Sequence, residues 1–143
     1  MGVSGTRLRV AFGSDEMTPT AEAVRGFLES SAELEVVDLT MPWPIIARSV
    51  AEAVAAGRCD RGVVMCWSGT GSAIAANKVA GVRAAQASEA WVAEAARRWN
   101  DANVLALSSM RLAPMVAIEC VGAFLATGPD PEEAENIDCL KGL

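Results

Sequence analysis

Short apolar runs alternate with helical segments along the whole chain, and this alternation limits the possible folds more than any other feature. Leu8–Phe12 (LRVAF), Leu34–Leu39 (LEVVDL), Gly62–Cys66 (GVVMC), Val82–Gln86 (VRAAQ) and Asn103–Ser109 (NVLALSS) read as strands. The third is apolar without a break, as expected of a parallel strand covered on both faces. Helices fill the intervals. Thr18 followed by Pro19 marks the first, an N-cap with proline at the first helical position, and Ala23, Val24 and Phe27 carry one apolar face toward Glu29. Pro44 opens a second, apolar at Ile45, Ile46, Val50, Ala53 and Val54 and stopped by Gly57. Gly71–Lys78 is a short third. Ser88 is expected to cap a fourth that reaches Trp99, and Pro114 opens a fifth that ends near Gly128. The stretch DPEEAENID forms a short acidic helix near the end. Five β-α units in succession predict an α/β fold: a five-stranded parallel sheet, helices on both faces and right-handed crossovers.

A chain of 143 residues suits one domain, and no linker, repeat or low-complexity segment divides it. Residues 1–6 are expected to be flexible, and 129–143 form an acidic C-terminal segment. Hydrophobic residues make up 52% against 21% charged, enough for a full core and against disorder. The net charge of −6 argues against a nucleic-acid groove or an anionic membrane surface as partner. No apolar run is long enough to span a bilayer. The opening MGVSGTRLRV lacks the apolar core of a signal peptide, and a bare Met-Gly start does not establish lipidation, so a cytoplasmic protein is expected. The four cysteines, Cys59, Cys66, Cys120 and Cys139, form no C-x-x-C pair, which fits a reducing compartment. The absence of histidine excludes Ser-His-Asp and Cys-His catalysis within the chain, and with it a Cys/His zinc site. No metal and no cofactor are expected.

In parallel sheets ligands sit beyond the carboxyl ends of the strands. Three stretches should meet there: Gly13–Glu16, Cys66–Gly71 and Ser108–Arg111. Cys66 ends the third strand just before a helix start. It is either an inert core cysteine or an exposed, reactive thiol favoured by nearby backbone N–H groups. Cys59, Cys120 and Cys139 lack that context and read as structural. The WSGTGS loop has G-x-G spacing, without the third glycine of a dinucleotide fingerprint and without a phosphate-loop lysine. It is either an ordinary tight βα turn or a nest of backbone N–H groups at Gly69, Thr70 and Gly71 aimed at one oxygen, helped by the hydroxyls of Ser68 and Thr70. Asp15 and Glu16 are helix-start charges or ligands for substrate hydroxyls. Trp91 and Trp99 share a helical face, the pattern of core packing. Asn100 and Asp101 end that helix as a cap or enter a site.

The residues AFGSD near the start, C-x-S-G-x-G-x-x-IAANK in the middle and NDANVLAL after the fourth helix resemble the ribose-5-phosphate isomerase B family, which includes the galactose-6-phosphate isomerase subunits. The resemblance runs from about Leu8 to Ala126. It implies a single Rossmann-like three-layer α/β/α domain and a homodimer whose sites are shared between subunits. The implied reaction is metal-independent aldose–ketose isomerisation of a small sugar through an enediolate, with a base moving a proton between adjacent carbons and an anion hole holding the oxyanion. In one branch the base is a cysteine matching Cys66. In another it is a glutamate at the position of Ser72. Ser68, Gly69 and Gly71 match the anion-hole loop, Asp15 the substrate-binding aspartate, and Asn100 the asparagine near the partner's site.

The departures shape the expected substrate. Glu16 stands where the family has a histidine. Trp99 replaces the histidine credited with ring opening, and Trp67 replaces a glycine. An expected arginine falls on Met110, with Arg111 one residue away. The basic segment that clamps phosphate reads DPEEAENID. The leading expectation is therefore a divergent sugar isomerase that acts on a sugar or polyol without phosphate. A non-catalytic binding or scaffold homologue and a ribose-5-phosphate isomerase are the alternatives.

Overall fold

The computed structural model describes residues 7–143, so the expected flexibility of residues 1–6 lies outside the described residues. Five parallel strands, β1 (Arg9–Ser14), β2 (Glu33–Val36), β3 (Arg61–Cys66), β4 (Ala84–Gln86) and β5 (Val104–Ser108), form one sheet in the order β2-β1-β3-β5-β4. The helices are α1 (Pro19–Ser31), α2 (Trp43–Ala55), α3 (Thr70–Asn77), α4 (Ala90–Asn100), α5 (Pro114–Ala126) and α6 (Ala134–Lys141), the last preceded by a 3₁₀ turn at Pro131–Glu133. This is the expected α/β/α domain. One core layer joins the sheet to α1, α4 and α5 through Val24, Leu28, Ala93, Ala96, Val121 and Phe124. The opposite layer joins it to α2 and α3 through Ala47, Val50, Ala51, Val54 and Ala76. The central strands β3 and β5 are buried on both faces, which is why they read as continuous apolar runs.

Several boundaries differ from the sequence reading. β1 continues through Gly13 and Ser14 instead of stopping there. A Cβ at Gly13 would lie 2.5 Å from Ile46, so this glycine serves close packing of α2 on the sheet. β2 ends at Val36, because the Asp38 carboxylate accepts the Thr40 N–H and hydroxyl at 2.9 and 2.6 Å and turns the chain away. β4 begins only at Ala84. The side chains of Asn77 and Asn103 bond the backbone of Gly81, Arg83 and Ala84, so side-chain amides replace strand partners along this edge. Ser88 does not cap α4. Glu89 occupies that position and makes no side-chain cap bond.

The expected core packing of Trp91 and Trp99 is also corrected. They are 61% and 43% exposed and stack edge to face with centroids 5.8 Å apart. The core-facing side of α4 is supplied by Ala93, Ala96 and the aliphatic stem of Arg97, which leaves no room for an indole inside. No helix of the described residues is long and apolar enough to cross a membrane.

Candidate active site

The chain leaves β1 for β2 at one side and returns to β3 at the other, so strand order reverses between β1 and β3. Open α/β sheets bind ligands in the crevice beyond the strand ends at such a point. A cavity of about 430 Å³ opens there, lined by Asp15, Trp43, Cys66, Trp67, Ser68, Thr70 and Gly71. Register fixes the heights of its three loops: Ser14 pairs with Met65, and Cys66 with Ser108.

Cys66 is 7% exposed, so the expected exposed thiol is instead set into the cavity wall, because β3 is covered on both faces up to its last residue. Its Sγ accepts the Gly69 N–H at 3.2 Å. Gly69 starts α3 with φ +83°, and a Cβ there would come within 3.0 Å of the Leu107 carbonyl carbon and 3.1 Å of the Ser108 nitrogen. Glycine is required for its dihedral and for its size. The hydroxyls of Ser68 and Thr70 lie 2.7 Å apart, and the first-turn N–H groups of α3 lack intrahelical acceptors. These are the donors the loop can offer an oxyanion. The loop is tied from behind. Ser109 N–H donates to the Cys66 carbonyl at 2.9 Å, the Ser108 hydroxyl donates to the Trp67 carbonyl, and Gln86 donates to the Ser68 carbonyl at 2.7 Å.

The other cysteines are set apart by environment. Burial, together with Glu119 and Glu89, pushes the Cys120 thiol up to about 11. Burial and the neighbouring Glu35 carboxylate push Cys59 up. Cys139 is exposed on α6, which corrects its reading as a structural cysteine. Ser72, where one branch of the family carries a glutamate, is a buried serine inside α3.

Asp15, Cys66, Trp67, Ser68, Thr70 and Gly71 thus line one cavity, with Gly69 behind them. Glu16 is exposed and accepts the Trp67 indole N–H at 3.1 Å. Arg111 is exposed and lies outside the cavity lining, while its backbone N–H donates to the Ser108 hydroxyl at 2.9 Å. Trp99 and Asn100 are not at this site. They end α4 at the amino ends of the strands, where Asn100 borders a second cavity of about 470 Å³ with Asn77, Arg83 and Leu140. The acidic C-terminal segment is also at that end, held by the burial of Ile137 and an ion pair from Lys141 to Asp101 at 2.9 Å. Trp43 and Gln86 escaped the sequence reading. Trp43 sits between two prolines at the start of α2, a position with no periodic signal. Gln86 is simply the last residue of a short edge strand.

A model of the Ribose/Galactose Isomerase family matches residues 10–139. The chain belongs to this family. It is 35% identical to ribose-5-phosphate isomerase B of Escherichia coli over 145 residues, covering 93% of this chain and 96% of that protein. It is 41% identical to D-erythrulose-4-phosphate isomerase of Pectobacterium atrosepticum over 83 residues, 58% of this chain and only 55% of that protein's length. The solved structure of Clostridium thermocellum ribose-5-phosphate isomerase B superposes with a TM-score of 0.87 at 30% identity, covering 94% of this chain and 96% of that one. Membership in the ribose/galactose isomerase family makes the chain a sugar isomerase and accounts for the Rossmann-like sheet.

Proposed function

We propose that this sugar isomerase interconverts an open-chain aldose and ketose with Cys66 as the base, on a substrate that carries no phosphate. The Cys66 thiolate takes the proton from C2. The C–H electron pair forms the C1–C2 double bond, and the carbonyl oxygen on C1 becomes the oxyanion. The Thr70 and Gly71 N–H groups and the hydroxyls of Ser68 and Thr70 hold that oxyanion, while the Gly69 N–H stays on the Cys66 sulfur. The proton returns to C1 and the O2 hydroxyl loses its own proton to O1, so the ketone forms at C2 with no net gain or loss. Asp15 accepts hydrogen bonds from substrate hydroxyls. The observation that carries the choice of substrate is the part of the cavity lining that this chain itself supplies: among the described residues, neither lysine nor arginine contributes to it. Missing two or three charge-assisted phosphate contacts weakens binding on the order of a hundredfold to a millionfold.

The site is proposed to be shared in a homodimer. Trp99 and Asn100 lie outside the Cys66 cavity and reach one only if a second copy supplies them, and they share one end of the sheet with acidic α6. A partner docked that way brings carboxylates toward the substrate, which further disfavours an anionic end group. With Trp99 in place of a ring-opening histidine, the substrate enters already open. The names of the relatives favour the competing reading of a phosphorylated sugar, which would make Arg111 the phosphate contact.

The test is solvent proton exchange and turnover in deuterated buffer across ribose 5-phosphate, erythrose, ribose, allose and amino sugars. Neutral or amine-bearing aldoses are expected to exchange faster than ribose 5-phosphate, and Cys66→Ser is expected to lower the rate by about a hundredfold or more. Efficient turnover of ribose 5-phosphate overturns the choice of substrate. Full activity of the Cys66→Ser variant overturns the base.

A further inference from the structure

Two of the seven cavity-lining residues are tryptophans, and each is held by a different device. Trp43 lies against Gly71: a Cβ at Gly71 would come within 2.8 Å of Cη2 and Cζ3 of the indole. The flanking Pro42 and Pro44 stiffen the backbone that carries it. Trp67 is 59% exposed and has no such packing. Its fixed point is the hydrogen bond from its Nε1 to the Glu16 Oε1 at 3.1 Å. Glu16 does not itself line the cavity.

We propose that Glu16 is a positioning residue that holds the Trp67 indole as one wall of the substrate cavity, and that Trp67 together with Trp43 selects sugars by the apolar C–H face they present. This rests on the sugar-isomerase reading of the same cavity. An indole face is large, rigid and apolar, and it costs little conformational entropy when only two torsions must be fixed. A sugar chain carries hydroxyls on its edges and C–H groups on its faces, so it meets Asp15 and the Gly-rich loop with the first and the indoles with the second. Few polar groups in a mostly apolar pocket is the usual composition of a small-molecule site. An unlatched Trp67, exposed as it is, would sample several rotamers. Part of the binding energy would then be lost to ordering it.

The experiment measures binding of the unreactive polyols ribitol and erythritol by tryptophan fluorescence and calorimetry. The variants are Glu16→Ala, Glu16→Gln, Trp67→Ala, Trp43→Leu and the double variant Glu16→Ala/Trp67→Ala. Glu16→Ala is expected to weaken polyol binding about tenfold, the scale of one lost hydrogen bond. Glu16→Gln keeps an acceptor for the indole N–H and is expected to restore most of the affinity. The double variant is expected to bind no worse than Trp67→Ala, because Glu16 acts only through that ring. In turnover the same changes are expected in KM, with kcat within about threefold. Additive losses in the double variant, or a Glu16→Gln variant as weak as Glu16→Ala, would show Glu16 touching the polyol directly and overturn the proposal. Unchanged affinity in Trp43→Leu would remove Trp43 from the selection. Polyol binding with the expected non-additivity but no proton exchange would sink the isomerase reading while leaving this one standing.

Discussion

At the scale of single residues, the four cysteines show how little an amino-acid type says without its surroundings. Cys66 lines the candidate cavity and accepts a backbone N–H, Cys139 stands in solvent, and Cys59 and Cys120 are buried, with burial pushing both thiols up. Iodoacetamide labelling read by mass spectrometry at pH 8 is expected to modify Cys139 and Cys66 and to spare Cys59 and Cys120. A thiol near 11 is almost wholly protonated at that pH, and the side chain of Cys120 has no solvent access. Ribitol is expected to protect Cys66 alone. Labelling of Cys66 no faster than of Cys120 would return it to the core.

The loop and helix that follow β3 act as a unit. Gly69 supplies the left-handed turn, donates to Cys66 and lets the backbone of Leu107 and Ser108 approach. Gly69→Ala therefore meets a dihedral cost of about 1–2 kcal/mol and a contact with backbone atoms that cannot step aside. Thermal denaturation should show the loss of stability, and turnover should fall further than the stability change explains, because the proposed anion hole shifts. A Gly69→Ala variant with both properties intact would show that the turn is not strained and that the hole lies elsewhere.

Across the whole molecule, Asp101 ties the C-terminal segment to the sheet. It ends α4 in the left-handed conformation and meets Arg97, Arg83 and Lys141 at 2.9, 3.5 and 2.9 Å. Burial alone would push its carboxyl up, but the hydrogen bonds from Lys141 and Arg97 outweigh burial and hold it below the usual range. A depressed carboxyl contributes stability that is fully present above its unfolded value, about 3.9, and that is lost as pH falls through the folded value. Asp101→Asn, which still tolerates that backbone conformation, leaves the buried Arg97 short of a counter-charge. It is expected to cost about 2–3 kcal/mol at neutral pH and to flatten the decline of stability below pH 4, both measurable by urea denaturation. At the same scale, sedimentation at micromolar concentration is expected to find a dimer. A monomer would leave Trp99 and Asn100 without a site and would end the shared-site proposal.

The order of strands and helices, the parallel sheet and the loop that carries Cys66 were legible because periodicity and punctuation are local properties, written within a few residues. Thr18-Pro19 starts a helix and an unbroken apolar run makes a central strand whatever surrounds them. Element ends at β1, β2 and β4 were not legible, since Gly13 under Ile46, the Asp38 turn and the Asn77 and Asn103 amides are contacts between segments distant in sequence or competing side-chain bonds. The candidate cavity was half legible. Asp15, Cys66 and the Gly-rich loop announce themselves at strand ends, where chemistry and position coincide. Trp43 reaches the cavity only because Gly71 of another element leaves room for it. The contact of Glu16 with the Trp67 indole was not legible, because two loops 51 residues apart meet at 3.1 Å. Composition and period determined which elements form; the packing of those elements against one another decided which side chains meet.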